Sequence, residues 1–214
     1  MTHQLTVDSV VVRFGENTVL SGGYITSRTG VVTGLLGRNG AGKSCMFRAL
    51  MGGLKADYVS VHLDDTPLDI DRIGLSVKYL PQSRLIPESL TLRRAFRLYD
   101  VPFWEFAGLF PQFSGRYRAP LWELSGGEAR LAELYLVLMT EAPFCILDEI
   151  EAALDDANIG YYADYLVEFS KSTQFVVVTH RKGTMERADS LYGVAMEEQG
   201  VSKMVSVSLE DYKQ

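Results

Sequence analysis

The stretch that decides the fold reads Gly37-Arg38-Asn39-Gly40-Ala41-Gly42-Lys43-Ser44. A glycine, four residues, a second glycine, lysine and then serine is the pattern typical of phosphate-binding loops. The glycines allow backbone torsions that turn successive amide hydrogens toward one anion, and a helix beginning here adds its positive end. The apolar segment 31–36 precedes the loop, which is the strand-loop-helix context that the pattern requires. We predict that Lys43 reaches the phosphates and that the Ser44 hydroxyl binds Mg²⁺.

A second signal is a pair of carboxylates at the end of the apolar segment 144–147. In open α/β sheets, ligands bind beyond the carboxyl ends of the strands, so we expect Asp148 and Glu149 to face the phosphates. Asp148 is then predicted to hold Mg²⁺, directly or through water. Glu149 is predicted to polarise the water that attacks the γ-phosphate, as general base or as its anchor. The alternative is an acidic pair at the start of the next helix.

The third signal is Leu124-Ser125-Gly126-Gly127-Glu128, which taken alone would be a helix N-cap with a glycine-rich approach. Beside the other two motifs, it resembles the signature of the ATP-binding cassette (ABC) ATPases, Leu-Ser-Gly-Gly-Gln or -Glu. In that family two domains pack head to tail, and the signature of one completes the nucleotide site of the other. The resemblance implies that Ser125, Gly126, Gly127 and the adjoining Glu128 contact ATP bound to a second copy.

The same resemblance implies roles for further residues. Gln82 matches the glutamine that senses Mg²⁺ and the attacking water, and His180 matches the switch histidine that contacts the γ-phosphate. Phe14 matches the aromatic residue that stacks on adenine, with a place in the core as its alternative. Asp155 matches the aspartate that links the two sites across the dimer. Cys45, next to the phosphate loop, completes the predicted nucleotide-contacting set.

Composition narrows the class of protein. The chain has 214 residues, 47% hydrophobic and 22% charged, enough for one α/β domain with a substantial core. The formal net charge of −6 argues against a broad electrostatic contact with nucleic acid. Cys45 and Cys145 have no metal-site or disulfide spacing, which favours a reducing, cytoplasmic compartment. No apolar run reaches the roughly 18 residues that cross a bilayer, and no secretory signal is visible.

We predict a P-loop NTPase of ABC type, with a mostly parallel central sheet, flanking helices, an N-terminal antiparallel β part and a small helical subdomain. Several short strands are expected over residues 5–36. Residues 1–82 and 143–214 are assigned to the core and 83–142 to the subdomain, whose stretch 83–120 is expected to be mostly helical. Other predicted elements are helices over 44–50, 128–139 and 158–169, strands over 59–63, 75–80, 144–147 and 174–178, and a closing hairpin over 192–209.

The two parts of the chain resemble different branches of the superfamily. Residues 1 to about 140 look like a transporter ATPase subunit. Residues 142–212 are similar to the C-terminal head segment of structural maintenance of chromosomes (SMC) proteins. Ile150 and Ala152 replace the proline and serine usual in transporters and suit the SMC pattern. We therefore hypothesise a composite chain with its seam near 139–143, and favour engineered recombination over natural descent.

The leading functional hypothesis is an ATP hydrolase that binds MgATP, closes into an ATP-dependent homodimer, hydrolyses ATP and reopens. The transporter resemblance implies a membrane-spanning subunit as partner, at the inner face of a membrane. The SMC resemblance implies DNA or a kleisin-type partner instead. A second hypothesis is a module that binds nucleotide with little or no turnover, because a composite chain could misplace Glu149 or the dimer interface.

Overall fold

The computed structural model describes residues 3–140, 142–152, 154, 162, 166, 169–170, 173–198 and 201–208. Within this part of the chain, ten strands form one mixed sheet in the order β5-β4-β1-β2-β10-β9-β3-β8-β7-β6. The strands are β1 Gln4–Phe14, β2 Asn17–Arg28, β3 Val32–Gly37, β4 Tyr58–Leu63, β5 Thr66–Pro67, β6 Val77–Leu80, β7 Phe144–Asp148, β8 Gln174–Val178, β9 Ser190–Glu198 and β10 Val201–Ser208.

One half of the sheet is antiparallel and comes mainly from the N-terminal residues. Strand β1 pairs with both β2 and β4, and β4 pairs with β5. The predicted short strands of 5–36 are wrong in length, because β1 and β2 run for 11 and 12 residues. Their register shifts several times, and Ser9 takes a positive φ of 54°. Such bulges interrupt the alternation of inward and outward side chains without ending the strand pairing. In the sequence, an interrupted alternation looks the same as the end of a strand.

The other half is parallel and carries the phosphate loop. Strand β3 lies between β8 and β9, and β7 lies between β8 and β6, all four pairings being parallel. All five residues of β7 and of β8 are buried, as expected for strands covered on both faces. Because parallel strands end at the same edge of a sheet, β3, β6, β7 and β8 deliver their following residues to one side of the molecule.

Helices cover the sheet, and several of those between residues 92 and 138 pack around an apolar cluster of their own. They are α1 Lys43–Leu50, α2 Leu92–Leu98, α3 Phe103–Leu109, α4 Gly126–Leu138 and α5 Lys182–Met185, with short 3-10 helices at Ile70–Leu75, Pro111–Phe113, Leu121–Glu123 and Ile150–Ala152. Residues 83–120 contain less helix than predicted. Pro102, Pro111 and Pro120 each stand at the start of a new short helix, since proline fits a first turn and disrupts a helix interior.

The predicted fold class is confirmed, and the predicted helices over 44–50 and 128–139 match α1 and α4 to within two residues at each end. The closing hairpin is confirmed by the antiparallel pairing of β9 with β10. The predicted strand over 75–80 begins at Val77, because Leu75 ends a 3-10 helix. The predicted helix over 158–169 lies almost wholly outside the described residues.

An aromatic cluster fills the lobe formed by residues 86–136. Phe106 lies at its centre and is fully buried, with ring centroids of Phe96, Phe110, Phe113 and Tyr135 between 4.6 and 5.1 Å away. Because α2 and α3 have only seven residues each, these ring contacts supply much of the apolar burial that joins them to α4.

Replacing Phe106 by alanine should lower the free energy of unfolding by about 3–5 kcal/mol, through lost burial and the cavity that remains. Trp104→Ala is the matched control, since Trp104 is 73% exposed in the same helix, and it should change stability by less than about 1 kcal/mol. Urea unfolding of both variants tests this. Equal effects would contradict a core centred on Phe106.

Candidate functional site: a phosphate-binding loop and two carboxylates

The loop between β3 and α1 is shaped by glycines with positive φ. Gly40 and Gly42 have φ of 83° and 84°, torsions that side chains with a Cβ rarely adopt. The amide of Ala41 closes a turn onto the Arg38 carbonyl at 3.1 Å. A Cβ on Gly37 would lie 2.8 Å from the Val194 carbonyl oxygen. Glycine is therefore required by local geometry before any ligand is considered.

The Lys43 ammonium is buried at the foot of this loop, with 6% of the residue exposed. Its Nζ donates to the carbonyl oxygens of Gly37 at 2.8 Å and Arg38 at 3.1 Å, and lies 3.6 Å from Glu149 Oε1. A buried cation is stable only with such partners. The contacts hold the ammonium inside the loop and next to the end of β7.

A cavity of about 290 Å³ joins the loop to the ends of β6 and β7. Its lining residues are Asn39, Gly40, Ala41, Gly42, Lys43, Ser44, Cys45, Gln82 and Glu149. The structure thus brings together the phosphate loop, Gln82 and Glu149, which are far apart in the sequence. A larger cavity of about 740 Å³ lies in the aromatic lobe, between α2 and Tyr117, away from these groups.

Asp148 ends β7 and is fully buried. The Tyr79 hydroxyl donates a hydrogen bond to its Oδ2 at 2.9 Å, and the Ser44 hydroxyl lies beside the carboxyl. Burial raises the pKa of Asp148 above its ordinary value, although both hydroxyls oppose this effect. Oδ1 is buried and has no hydrogen-bond partner within the described residues. One carboxylate oxygen is therefore left for a ligand.

Glu149 follows directly and has a different environment. It is 8% exposed and has an unusual positive φ of 50°. Its Oε2 accepts a hydrogen bond from the Gln82 amide at 2.9 Å, while Oε1 faces Lys43. The carboxylate is held at the cavity wall by one cation and one amide, and its strained backbone is typical of residues placed for function.

The donor set near the loop fits Mg²⁺. Asp148 Oδ1 and the Ser44 hydroxyl are hard oxygen ligands, which magnesium prefers. Across the described residues there is no group of three His, Cys, Asp or Glu side chains able to hold a metal by themselves. That is compatible with Mg²⁺, which is usually held by one or two protein groups together with substrate phosphates and water.

The signature segment lies apart from this cavity, and none of residues 125–128 lines it. Ser125 is the N-cap of α4, accepting from the Glu128 amide at 3.1 Å, while Glu128 Oε2 accepts from the Ser125 amide at 2.8 Å. The N-cap interpretation is therefore confirmed as a reciprocal capping box. Arg116 donates to Glu128 Oε1 at 2.8 Å, which ties the cap to the preceding loop.

The remaining predicted residues are placed as follows. Phe14 is 50% exposed at the end of β1, so the alternative of a core position is wrong. His180 is exposed and follows β8 by two residues. Neither residue lines the cavity. Asp155 lies outside the described residues.

Three residues of the site were missed by the sequence analysis. Tyr79 contacts Asp148, and burial raises its own pKa, with the neighbouring carboxylate adding to the effect. Arg130 and Glu133 form a buried ion pair at 2.9 Å on α4, with 2% and 0% of their side chains exposed. The available signal was the spacing i, i+3 of Arg130 and Glu133 among the apolar residues that follow Glu128 in α4.

This ion pair holds the segment that contains Gln82. Arg130 donates to the carbonyl oxygens of Ser83 and Pro81, at 3.2 Å for Ser83. Glu133 Oε1 accepts from the amides of Leu85 and Ile86 at 2.9 and 3.0 Å. The backbone on both sides of Gln82 is thus anchored to α4.

Comparison with solved structures shows the fold. The structure of an ATP-binding subunit of an ABC transporter superposes with a TM-score of 0.80 and 22% identity, over 97% of this chain and 90% of that one. A bacterial Atm1-family ABC exporter with ATP bound gives 0.83 and 18%, over 99% of this chain and 40% of the other. The chain has the ABC-type ATPase fold.

A family model described as RecF/RecN/SMC N terminal domain matches residues 54–203. The chain belongs to this family. The match runs through the hypothesised seam near 139–143 and includes both carboxylates. Together with the ABC-type fold, membership of the RecF/RecN/SMC family supports a nucleotide-binding ATPase domain.

Two relatives that match part of the chain carry the name Smc, as the family model does. The chromosome partition protein Smc of Bacillus subtilis (strain 168) is 56% identical over 95 residues, 42% of this chain and 8% of that protein. The Smc protein of Lactiplantibacillus plantarum is 61% identical over 94 residues, again 42% and 8%. The matched stretch is therefore less than a tenth of the length of these relatives.

Within the described residues, no helix combines the length and apolar character that a bilayer-spanning segment needs.

Replacing Glu133 by leucine should lower the free energy of unfolding by about 3–5 kcal/mol, because the Arg130 charge would stay buried without its partner. The control is Glu88→Ala, which breaks an exposed Arg84–Glu88 pair at 4.0 Å and should cost less than about 1 kcal/mol. Denaturant unfolding at neutral pH tests both. A similar small loss in both variants would show that the buried pair has no special weight.

Asp148→Asn should stabilise the protein in the absence of Mg²⁺ and nucleotide at neutral pH. The pKa of Asp148 is raised in the folded state. Its contribution to the free energy of unfolding is therefore most favourable below the unfolded-state pKa, and it declines as pH rises through the folded-state pKa. The variant's advantage should therefore shrink on acidification. Urea unfolding from pH 7 to pH 4 checks this, with the exposed Asp65→Asn as control. A constant difference across that range would contradict the sign.

Proposed function

We propose that this domain binds MgATP in the cavity between α1 and β7 and hydrolyses it to ADP and phosphate. The observation that carries the proposal is the meeting of the phosphate loop, Gln82 and Glu149 around one polar cavity, with Lys43 inside it. Lone glycine loops are common, but a loop that also meets a buried lysine and two strand-end carboxylates fits phosphoryl transfer.

In this proposal residues 37–45 hold the triphosphate. The amides of the loop and the N-terminus of α1 bind phosphate oxygens, because the positive φ of Gly40 and Gly42 turns the backbone toward them. Lys43 exchanges part of its carbonyl contacts for the β- and γ-phosphates. Ser44, Asp148 and Gln82 hold Mg²⁺, which when bound neutralises charge that develops on the phosphates.

Glu149 acts on the attacking water as general base or anchor. Its position supports this role, since the carboxylate lines the cavity and is oriented by Gln82 and Lys43. His180 contacts the γ-phosphate once the site closes. Catalysis then consists mainly of positioning and charge stabilisation rather than covalent chemistry.

We further propose that two copies assemble head to tail around ATP. Residues 125–128 lie outside the cavity of their own chain, which suits a contact in a partner's site. A Cβ on the exposed Gly126 would meet no described atom within 4 Å, so the fold itself does not require glycine there. A glycine that leaves room for an approaching phosphate fits the trans arrangement. Phe14 is exposed and available to stack on adenine, and Asp155 links the two sites.

We also propose a biological setting, which membership of the family supports. Relatives are named chromosome partition protein Smc, and this name supports a role linked to DNA. The sequence resemblance to SMC proteins adds a cytoplasmic location and a kleisin-type partner to the proposal. A membrane-spanning transporter subunit is the alternative partner, because the fold is equally that of a transporter's ATP-binding subunit. Co-purification with DNA and kleisin fragments, against transporter membrane subunits, separates the two.

The division into a core (1–82 and 143–214) and a helical subdomain (83–142) is part of this proposal. A distinct apolar cluster within residues 86–136 supports it. A composite origin remains a hypothesis. Searching residues 1–140 and 142–214 separately tests it, and a single natural protein matching both over their full lengths would overturn it.

Glu149→Gln should bind MgATP as wild type does but release phosphate about 10²–10⁴-fold more slowly. The closed dimer would form but would not hydrolyse ATP and reopen, so size-exclusion chromatography with MgATP should show a trapped dimer. The control is Lys43→Ala, which should lose most ATP affinity and stay monomeric. Nucleotide affinity, phosphate release and elution volume are measured on all three proteins.

Each outcome has a distinct meaning. Equal ATP binding by wild type and Lys43→Ala would overturn the nucleotide site. Tight binding by wild type with phosphate release no faster than for Glu149→Gln would leave a passive binding module. Monomer alone for Glu149→Gln with ATP would refute the head-to-tail dimer.

A further inference from the structure

Glu151 is a fully buried carboxylate that has no part in the site described so far. It lies in the 3-10 helix Ile150–Ala152, two residues after Glu149, and does not line the cavity. Burying a carboxylate is costly unless hydrogen-bond donors surround it. Its contacts therefore indicate what the residue is for.

The partner of Glu151 is Thr179, whose hydroxyl donates a hydrogen bond to Glu151 Oε1. Thr179 is 2% exposed. The same hydroxyl oxygen accepts a hydrogen bond from the Arg181 amide at 3.0 Å. A chain of two hydrogen bonds thus runs from the Arg181 backbone through Thr179 to Glu151, and it spans His180.

Tyr162 lies near enough to this carboxylate to interact with its charge. Its ring is fully buried in the apolar cluster that also contains Ile150 and Phe175. Burial raises the pKa of the Tyr162 phenol, and the nearby negative charge of Glu151 raises it further. Glu151 is therefore held in the interior, where it is fully buried and hydrogen-bonded to Thr179, and not at the surface.

Backbone pairing places the two segments side by side. Asp148 pairs with Val178 in the sheet, and the Glu149 amide donates to the Val178 carbonyl at 3.1 Å. Both chains then leave the sheet. Past this point, within the described residues, the Glu151–Thr179 hydrogen bond joins the segment after Glu149 to the segment that carries His180.

We propose that Glu151 is a positioning residue, which acts through Thr179 to hold residues 179–181, and with them His180, in register with Glu149. The inference rests on the proposed function of Glu149 and His180. Without the tether, the exposed imidazole samples positions from which it does not reach the γ-phosphate. Small misplacements of this kind reduce turnover strongly while ground-state binding is kept.

The test replaces the Thr179 hydroxyl. Thr179→Val has nearly the same shape but can neither donate to Glu151 nor accept from the Arg181 amide, whereas Thr179→Ser keeps both hydrogen bonds. Thr179→Val should lower kcat roughly 10- to 100-fold. KM for MgATP should stay within about twofold of wild type, because the groups that bind the substrate in the ground state are unchanged. Thr179→Ser should restore kcat. If Thr179→Val does not fold, as judged by thermal unfolding, Thr179→Ala takes its place.

A double-mutant cycle distinguishes positioning from general structural damage. In a His180→Ala background, Thr179→Val should have little further effect on kcat, because both changes remove the same interaction. An undiminished effect in that background would overturn the proposal. So would a wild-type kcat for Thr179→Val.

A readout without turnover separates this inference from the proposed function. NMR of the imidazole signals, with His180 assigned through His180→Ala, should show a shifted or broadened His180 signal in Thr179→Val and an unchanged one in Thr179→Ser. If wild type hydrolyses no ATP, the proposed function fails and this signal still decides the tether. A His180 signal identical in wild type and Thr179→Val would overturn it.

Discussion

The contact between Lys43 and Glu149 is the interaction on which the candidate site depends. It joins the phosphate loop to the end of β7 across a cavity whose walls come from distant parts of the chain. The parallel half of the sheet makes this possible, because β3 and β7 end at the same edge with β8 between them. The lysine at the start of α1 and the carboxylate that follows β7 therefore face each other because of the strand order alone.

The site concentrates buried charged groups, and each group has polar partners of its own. Glu149 has Lys43 and Gln82, and Asp148 has the hydroxyls of Tyr79 and Ser44. Arg130 and Glu133 compensate each other and bind the backbone around Gln82. Such groups add little net stability, since desolvation offsets attraction. Their value is geometric, because each one fixes a segment that borders the cavity.

The signature segment combines residues explained by helix capping with a glycine that helix capping does not explain. Ser125 and Glu128 cap α4 reciprocally, and Arg116 holds the cap in place. These contacts explain the serine and the glutamate by local helix physics. They do not explain Gly126, which is exposed with open space around it. The proposed contact with a second copy would account for that glycine, and α4 would connect it through Arg130 to the segment around Gln82.

The sequence by itself determined the phosphate loop, the strand before it, the helix after it and the carboxylates that end β7. These depend on local torsions and on continuous apolar runs, which a linear pattern records. Only the tertiary structure decided that β1 and β2 are long bulged strands, that Tyr79 binds Asp148, and that Arg130, Glu133 and Glu151 are buried tethers. Those features depend on which residues from distant parts of the chain meet in the interior. Such contacts produce no periodic pattern in the sequence around the residues that make them.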